Sequence, residues 1–467
     1  MKRKKQNRLL LILVIVLVLV ALCYALLFRH NKEVEKAESE SSAEQTINLY
    51  NKDFDTRSLS SFSFTTSDNQ ILKFIKNGEN WSYSGDKNFP VNDSLISDIT
   101  STLSSMTGKR QVETSLDKNS DYGLDKPTKT VTVTDSSNHE MTIYFGSSNS
   151  ITGDYYIYTD ADTKVYTTES SNYEAFNYSL MDLIAIDSIP SIDATLLKDV
   201  TVDKTDGKWK MTYKEAGDSS LDYTGELTWF VTNPNKSKEG MDSSAASTFT
   251  TNVTGITTDS CVAYNVKTKD LKKYGLDNPK ATVTVNYQES ENKKTKTFTF
   301  HIGNKKDDSY YFTFDGSNQV CLLSSETAEY FLNINNKTFL LTNPLNIAVS
   351  SVDKLQINST TFTITRKDNK TTYAKDGKDY DETKFNNLYD MIKGITSEKT
   401  YVESDTEKDA KGKTLTLTYT LNNNKTYSTI TFKFAPYDKD YYSLSINGTK
   451  KLLVNKIDVS NLQSSYK

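Results

Sequence analysis

The segment 121-DYGLDKPTKTVTVTD-135 decides how this chain is read, because 273-KYGLDNPKATVTVNY-287 repeats it 152 residues later. Each copy holds Tyr-Gly-Leu-Asp-x-Pro followed by Thr alternating with Val, and alternation of period two marks a half-buried strand. The residues before the strand read as a turn. Gly123 and Gly275 supply a backbone position open to positive φ, Asp125 and Asp277 offer acceptors to turn amides, and Pro127 and Pro279 fix φ at strand entry. Leu124 and Leu276 pin the turn to a core, and Tyr122 and Tyr274 cover it with a ring whose hydroxyl stays wet. Every residue has a folding role, so the turn is expected to be a structural joint rather than a binding loop.

The flanks repeat in the same order. Trp81 in "ENWSYSG" corresponds to Trp229 in "LTWFVTN". A helix is expected after each, with Leu95, Ile96, Ile99, Leu103 and Met106 in the first and Ala245, Ala246, Phe249, Val253 and Ile256 in the second, both spaced as one helical face. Past the turn and its strand, "IYFG" ending at Gly146 matches "FHIG" ending at Gly303, and Tyr155-Tyr156 matches Tyr310-Tyr311. A third, eroded copy begins near Val352, with Tyr373 in place of the tryptophan and Phe385, Leu388, Ile392 and Ile395 on a helix face. There "TLTLTYTL" replaces "TVTV", "FKFAP" replaces the Gly-ended strand, Tyr441-Tyr442 restores the aromatic pair, and the hexapeptide is missing.

Taken as a set, "YGLDKPTKTVTV" and "YGLDNPKATVTV", each after a Trp-bearing hairpin and a helix, resemble the bacterial family called domain of unknown function 4340, over about 400 residues. The resemblance implies a membrane-anchored or lipoprotein-like chain, in some members encoded beside ABC-type export systems associated with gliding motility and surface-polymer assembly. It carries no catalytic residues. The third copy departs from the pattern by losing Gly-Leu-Asp-x-Pro, which suggests a capping unit.

Residues Leu9 to Phe28 are an apolar run long enough to cross a bilayer. Lys2, Arg3, Lys4, Lys5 and Arg8 precede it, which orients the N-terminus to the cytoplasm and the bulk outside the cell membrane as a single-pass protein. A cleaved signal peptide is the competing reading, opposed by the length of the run and the lack of a small-residue cleavage site. Lipidation of Cys23 is opposed by Leu22 at the position where a small residue is wanted. The expected fold class is α+β: an N-terminal transmembrane helix followed by three tandem β-rich α+β repeats with mainly antiparallel sheets. Its parts are a cytoplasmic tail (1–8), the transmembrane helix (9–28), a stalk (29–58) and repeat units at 59–193, 194–346 and 347–467.

Charge narrows the partners. The chain has 56 Lys and Arg against 60 Asp and Glu, and five of the basic residues fall in the first eight positions, so the remainder is acidic. Nucleic acid is not an expected partner, because phosphate backbones call for a basic face. Cys261 and Cys321 either form one disulfide or stay as two buried thiols, and their types and spacing match no metal site.

A search for chemistry finds no cofactor, metal or catalytic constellation. His30, His139 and His301 lack ligand spacing. The Ser-x-x-Lys matches at Ser115 and Ser351 follow the Ser-Asp-Asn at Ser67 in the wrong order, and Lys-Thr-Gly is absent. Asp117, Asn119 and Asp121 resemble the start of a calcium loop, but glycine comes one residue late and Thr128 stands where the closing glutamate belongs. Aromatics remain as candidates for an exposed binding face: Tyr155, Tyr156, Tyr310, Tyr311, Tyr441 and Tyr442, one of each pair expected to face solvent. The expected function is that of a non-enzymatic interaction or scaffold protein, accessory to an export or surface-assembly system, with the membrane and an envelope protein as partners. The alternatives are a cell-wall glycan-binding protein and a hydrolase with an unfamiliar site.

Overall fold

Along Lys129–Asp135, Ala281–Tyr287 and Leu415–Leu421, every second side chain is buried and the others are half-buried, which is the pattern of a strand in the middle of a sheet. These three strands are central in three large sheets. The computed structural model describes residues 46–466, apart from 236–237, 259, 405–406, 408–409 and 423–427. Over these residues the chain divides into two compact units, one ending at Ile186 and one beginning at Asp187.

The first unit holds an eight-stranded sheet, all pairings antiparallel, in the spatial order Asn80–Tyr83, Ile71–Asn77, Leu59–Thr65, Lys129–Asp135, Glu140–Ser148, Tyr155–Thr159, Val165–Thr168, Arg110–Glu113. A separate two-stranded sheet joins Ile47–Asn48 to Thr107–Gly108. Within the stretch read as stalk, Leu49, Tyr50 and Phe54 are buried in this unit's core. The helix Asp93–Ser105 lays Ile96, Ile99 and Leu103 on that core, and Asn92 opens it by accepting from the Leu95 amide at 3.3 Å.

The second unit carries two nine-stranded sheets. In spatial order one runs Lys238–Gly240, Trp229–Thr232, Gly207–Tyr213, Leu197–Lys204, Ala281–Tyr287, Lys296–Lys306, Ser309–Phe314, Val320–Ser324, Ser260–Ala263. The other runs Lys378–Tyr380, Lys370–Lys375, Thr360–Lys367, Val352–Ile357, Leu415–Leu421, Thr429–Pro436, Tyr441–Ile446, Thr449–Asn455, Ser397–Thr400. Their helices, Ser243–Thr254 and Glu382–Lys393, are opened by Asp242 and Asp381, whose carboxylates accept from amides two or three residues on. In register, Trp81 faces Lys76, Trp229 faces Tyr213 and Tyr373 faces Ile364, each at the same place on the second strand of the hairpin, which is the edge strand in the first sheet and lies one in from the edge in the other two.

Two expectations are corrected. The fold is mostly antiparallel sheet with few helices, and its described residues form four sheets rather than three α+β repeats. The apolar residues follow period two almost everywhere, so helices are confined to short segments that cover sheet faces. Among the described residues no helix is long and apolar enough to cross a membrane, the longest having 13 residues. The run at 9–28 lies outside the described residues. The expectation of a single-pass protein with an extracytoplasmic bulk is corrected on that ground.

The closing segments differ. In the first sheet residues 170–184 hold a short helix, Ser170–Glu174, and a 3₁₀ turn, Leu180–Leu183, opened by a Ser179–Asp182 capping box. The third large sheet is closed as well, by Lys456–Ser465 with Val459 and Leu462 buried. In all three a lysine reaches carbonyls at the end of the closing segment: Lys129 to Phe176 and Tyr173 at 2.8 and 3.3 Å, Lys204 to Leu332 and Ile334 at 2.8 and 2.6 Å, Lys375 to Tyr466 at 3.0 Å. Unpaired carbonyls and the negative end of the helix dipole both favour an ammonium there. The three lysines arrive from different strands.

Candidate functional site

The repeated hexapeptide lies on the connection from the edge strand to the central strand. Gly123 and Gly275 have φ of 68° and 69°, in the left-handed region, and each ends a 3₁₀ segment. Leu124 and Leu276 are buried. Asp125 and Asp277 are exposed and accept no turn amide, so the role read for them in the sequence is not the one they have. Pro127 and Pro279 are half-buried just before the strand.

The connection passes over the strand beyond the central one, and there Gly146 and Gly303 are needed. A methyl group on either would fall under 3.0 Å from the carbonyl oxygen of Tyr122 or Tyr274. The Tyr122 ring meets Tyr156 at 4.8 Å between centroids, and the Tyr274 ring meets Tyr311 at 4.9 Å. Turn, strand-end glycine and second tyrosine thus form one packed cluster. In the third large sheet all three are gone together: the hexapeptide is absent, Ala435 stands at the glycine position, and Ser443 at the second tyrosine position, as the pairings Phe145↔Ile157, Ile302↔Phe312 and Phe434↔Leu444 fix the register.

That register corrects the aromatic pairs. Tyr442, not Tyr441, corresponds to Tyr155 and Tyr310, so the third pair is shifted by one residue. None of the six is exposed. Tyr155 stacks on Tyr173 at 3.9 Å, and the Tyr156 hydroxyl accepts from Asn149 at 2.9 Å. Buried Tyr310 donates to Glu329 at 3.2 Å. Tyr441 donates to Glu398 at 2.8 Å beneath the Lys399 ammonium, and Tyr442 is buried. They are packing residues, and a strand-face stripe of open aromatics does not exist at these positions.

The histidines are likewise engaged. His139 bonds Asp135 through Nδ1 at 2.9 Å, and His301 bonds Asp315 through Nε2 at 2.8 Å and Thr282 at 3.2 Å. His30 lies outside the described residues. Among the described residues no group of three or more His, Cys, Asp or Glu side chains could hold a metal ion.

The residues that do converge on open space were not found from sequence. A cleft of about 330 Å³ in the second unit is lined by Trp209, Tyr223, Asn235, Asn336, Tyr401 and Val402, with Lys450 and Lys451 on its rim. It exists because 214–228 is an insertion. The first sheet joins the corresponding hairpin strands, Ile71–Asn77 and Asn80–Tyr83, through Gly78 and Glu79 alone, whereas here a whole loop with a 3₁₀ turn at Ala216–Ser220 intervenes. Asp222 organises it, accepting from Gly225 and Leu227 amides at 2.8 and 3.3 Å and pairing with Lys214. The loop carries Tyr223 into the core of the third large sheet, where its hydroxyl donates to the Pro344 carbonyl at 2.6 Å and its ring packs edge-on to Phe432. The longer spacing ahead of Trp229 than ahead of Trp81 was the only signal of it.

Inside the cleft, Trp209 is buried and its indole donates to Asn336 Oδ1 at 3.2 Å. On the opposite wall Tyr401 donates to Glu407 at 2.6 Å, and Lys450 closes the triad on both. Glu407 raises the Tyr401 hydroxyl and the Lys450 ammonium; burial would raise the Glu407 carboxyl, but Lys450 and Tyr401 hold it low. Among the described residues Glu239 is the one carboxylate on the lining, 4.0 Å from Lys451. Val402 is 65% exposed at the mouth. The surface offers apolar contact, amide donors and acceptors, and two ammonium groups, which suits recognition of a polar chain.

These features define a tandem antiparallel-sheet protein with repeated turn clusters. The family model described as "Domain of unknown function (DUF4340)" matches residues 81–263 and again, overlapping, 229–417. The chain belongs to this family and carries it in tandem. No curated protein and no solved structure matches the chain.

Proposed function

We propose that the chain is a non-catalytic interaction protein whose binding surface is the cleft of the second unit. The observation that supports this is the lining itself: aromatic and aliphatic side chains, side-chain amides and two lysines, with Glu239 the one carboxylate on it among the described residues. The partner we favour is a polypeptide of an export or surface-assembly system, the class that the family resemblance implies. An extended peptide uses amides and apolar contacts of this kind.

A photo-reactive amino acid placed at Val402 tests the reading in cells. Cross-linking to one defined polypeptide, lost on Asn336→Ala with the melting midpoint unchanged, supports it. No protein cross-link, together with retention of the purified chain on wall polymer through the same residues, transfers the cleft to the glycan reading. Tyr401 on the same lining as Asn235 and Asn336 favours that second reading, since sugars pair a ring face with amide hydrogen bonds.

A further inference from the structure

The two cysteines of the described residues, 60 positions apart in sequence, are directly opposite one another across the edge of the second large sheet: Cys261 on Ser260–Ala263 faces Cys321 on Val320–Ser324. In the corresponding pair of the first sheet, Gln111 faces Tyr166. Opposed residues of an antiparallel pair have Cα atoms about 4.5–5.5 Å apart, within the span a disulfide bridges. The ladder shifts register between Cys261 and Ala263, which gives the edge strand local freedom to twist. Both side chains are buried, and the Cys261 thiol donates to the Ala263 carbonyl at 3.1 Å. The Cys321 thiol holds Cys261 below its ordinary range against the effect of burial, while Cys321 itself is pushed up.

We propose that Cys261 and Cys321 are an oxidation site that closes to a disulfide, stapling the edge of the sheet beside the cluster that seats the second hexapeptide turn. Val320, Val262 and Ala263 from these two strands pack with Tyr274 and Leu276 in that cluster. The oxidant is a small disulfide such as oxidised glutathione. The Cys261 thiolate attacks one of its sulfurs, forming a mixed disulfide and releasing one glutathione thiolate, which takes up a proton. Cys321 then loses its proton to solvent and attacks the Cys261 sulfur, displacing the second glutathione. Two cysteine thiols are oxidised by two electrons and one glutathione disulfide is reduced to two thiols. The edge strand is held by one neighbour only, so its opening, or folding itself, admits the oxidant.

The test refolds the reduced full chain in a glutathione redox buffer, quenches with acid, alkylates remaining thiols and maps peptides by mass. A peptide joining Cys261 to Cys321 as the dominant linkage, with Cys23 alkylated, is the expected result. The same buffer with denaturant retained should give that linkage only at the lower share its shorter loop confers on an unfolded chain, and the oxidised protein should melt several degrees above the reduced one. Cys321→Ser should abolish the linkage and the shift, while Cys23→Ser should leave both intact. Recovery of folded protein with Cys261 and Cys321 alkylated, each carrying glutathione, or linked as often to Cys23, would overturn the proposal.

Discussion

Asp135 sits at the end of the first central strand and ties down the hairpin that follows. Its carboxylate accepts from the amides of Asp55, Ser137 and His139 at 3.1, 2.8 and 2.9 Å and from the His139 ring. Burial alone raises this carboxyl; the amides and the ring more than offset it and hold it at about 2. The unfolded chain takes up the proton near the ordinary value of about 4. The contribution is therefore complete above that value and drains away as pH falls towards the folded one. Thermal melting from pH 5 down to pH 2 should show Asp135→Asn less stable at pH 5 and shallower in its acid decline than the parent chain; parallel curves would refute this account. Tyr419 presents the opposite case, a fully buried hydroxyl with no partner among the described residues, in the core of the third large sheet. Leaving such a group dry costs free energy, so Tyr419→Phe, which keeps the ring against Phe432, should raise unfolding stability by about 1 kcal/mol in urea titration. Neither role was legible in the sequence: Asp135 looked like a strand end and Tyr419 like another alternating residue, because the burial of each depends on how the whole sheet and core pack around it.

At the scale of the element, the hexapeptide and the strand-end glycine are one feature separated in sequence. The turn's conformation was readable, since glycine with positive φ and a following proline are local properties. What Gly146 and Gly303 were for was not, because the crossing backbone that excludes a side chain arrives from a distant part of the chain. Gly303→Ala should cost roughly 2 kcal/mol or more, as backbone on both sides must shift. Gly217→Ala, at a glycine with open space around it and ordinary φ, should stay within about 0.5 kcal/mol by the same denaturant measurement. Equal effects at the two positions would remove the packing explanation. The third large sheet, which lacks the hexapeptide, carries Ala435 at this position.

For the whole molecule, the second unit should stand alone. Residues 187–467 contain both nine-stranded sheets, the cleft and the loop whose Tyr223 is buried in the neighbouring core. Expressed by itself, this piece should unfold in a single cooperative transition by calorimetry. Tyr223→Ala should cost about 3 kcal/mol and broaden or split that transition, since it removes the largest anchor the loop provides. A fragment that melts in two steps before the substitution would show that the anchor does not couple the sheets.

The amino-acid order by itself determined where the strands are, which faces they bury, where the chain must turn left-handed and that the pattern occurs in tandem. These follow from side-chain period, glycine and proline, whose effects reach only a few residues. Tertiary structure alone decided that Tyr156 and Tyr311 pack on the turn, that an inserted loop opens a cleft, and that two cysteines 60 residues apart meet across a sheet edge. Each depends on which strands become neighbours, and that choice is made by the burial of the whole core rather than by any local stretch.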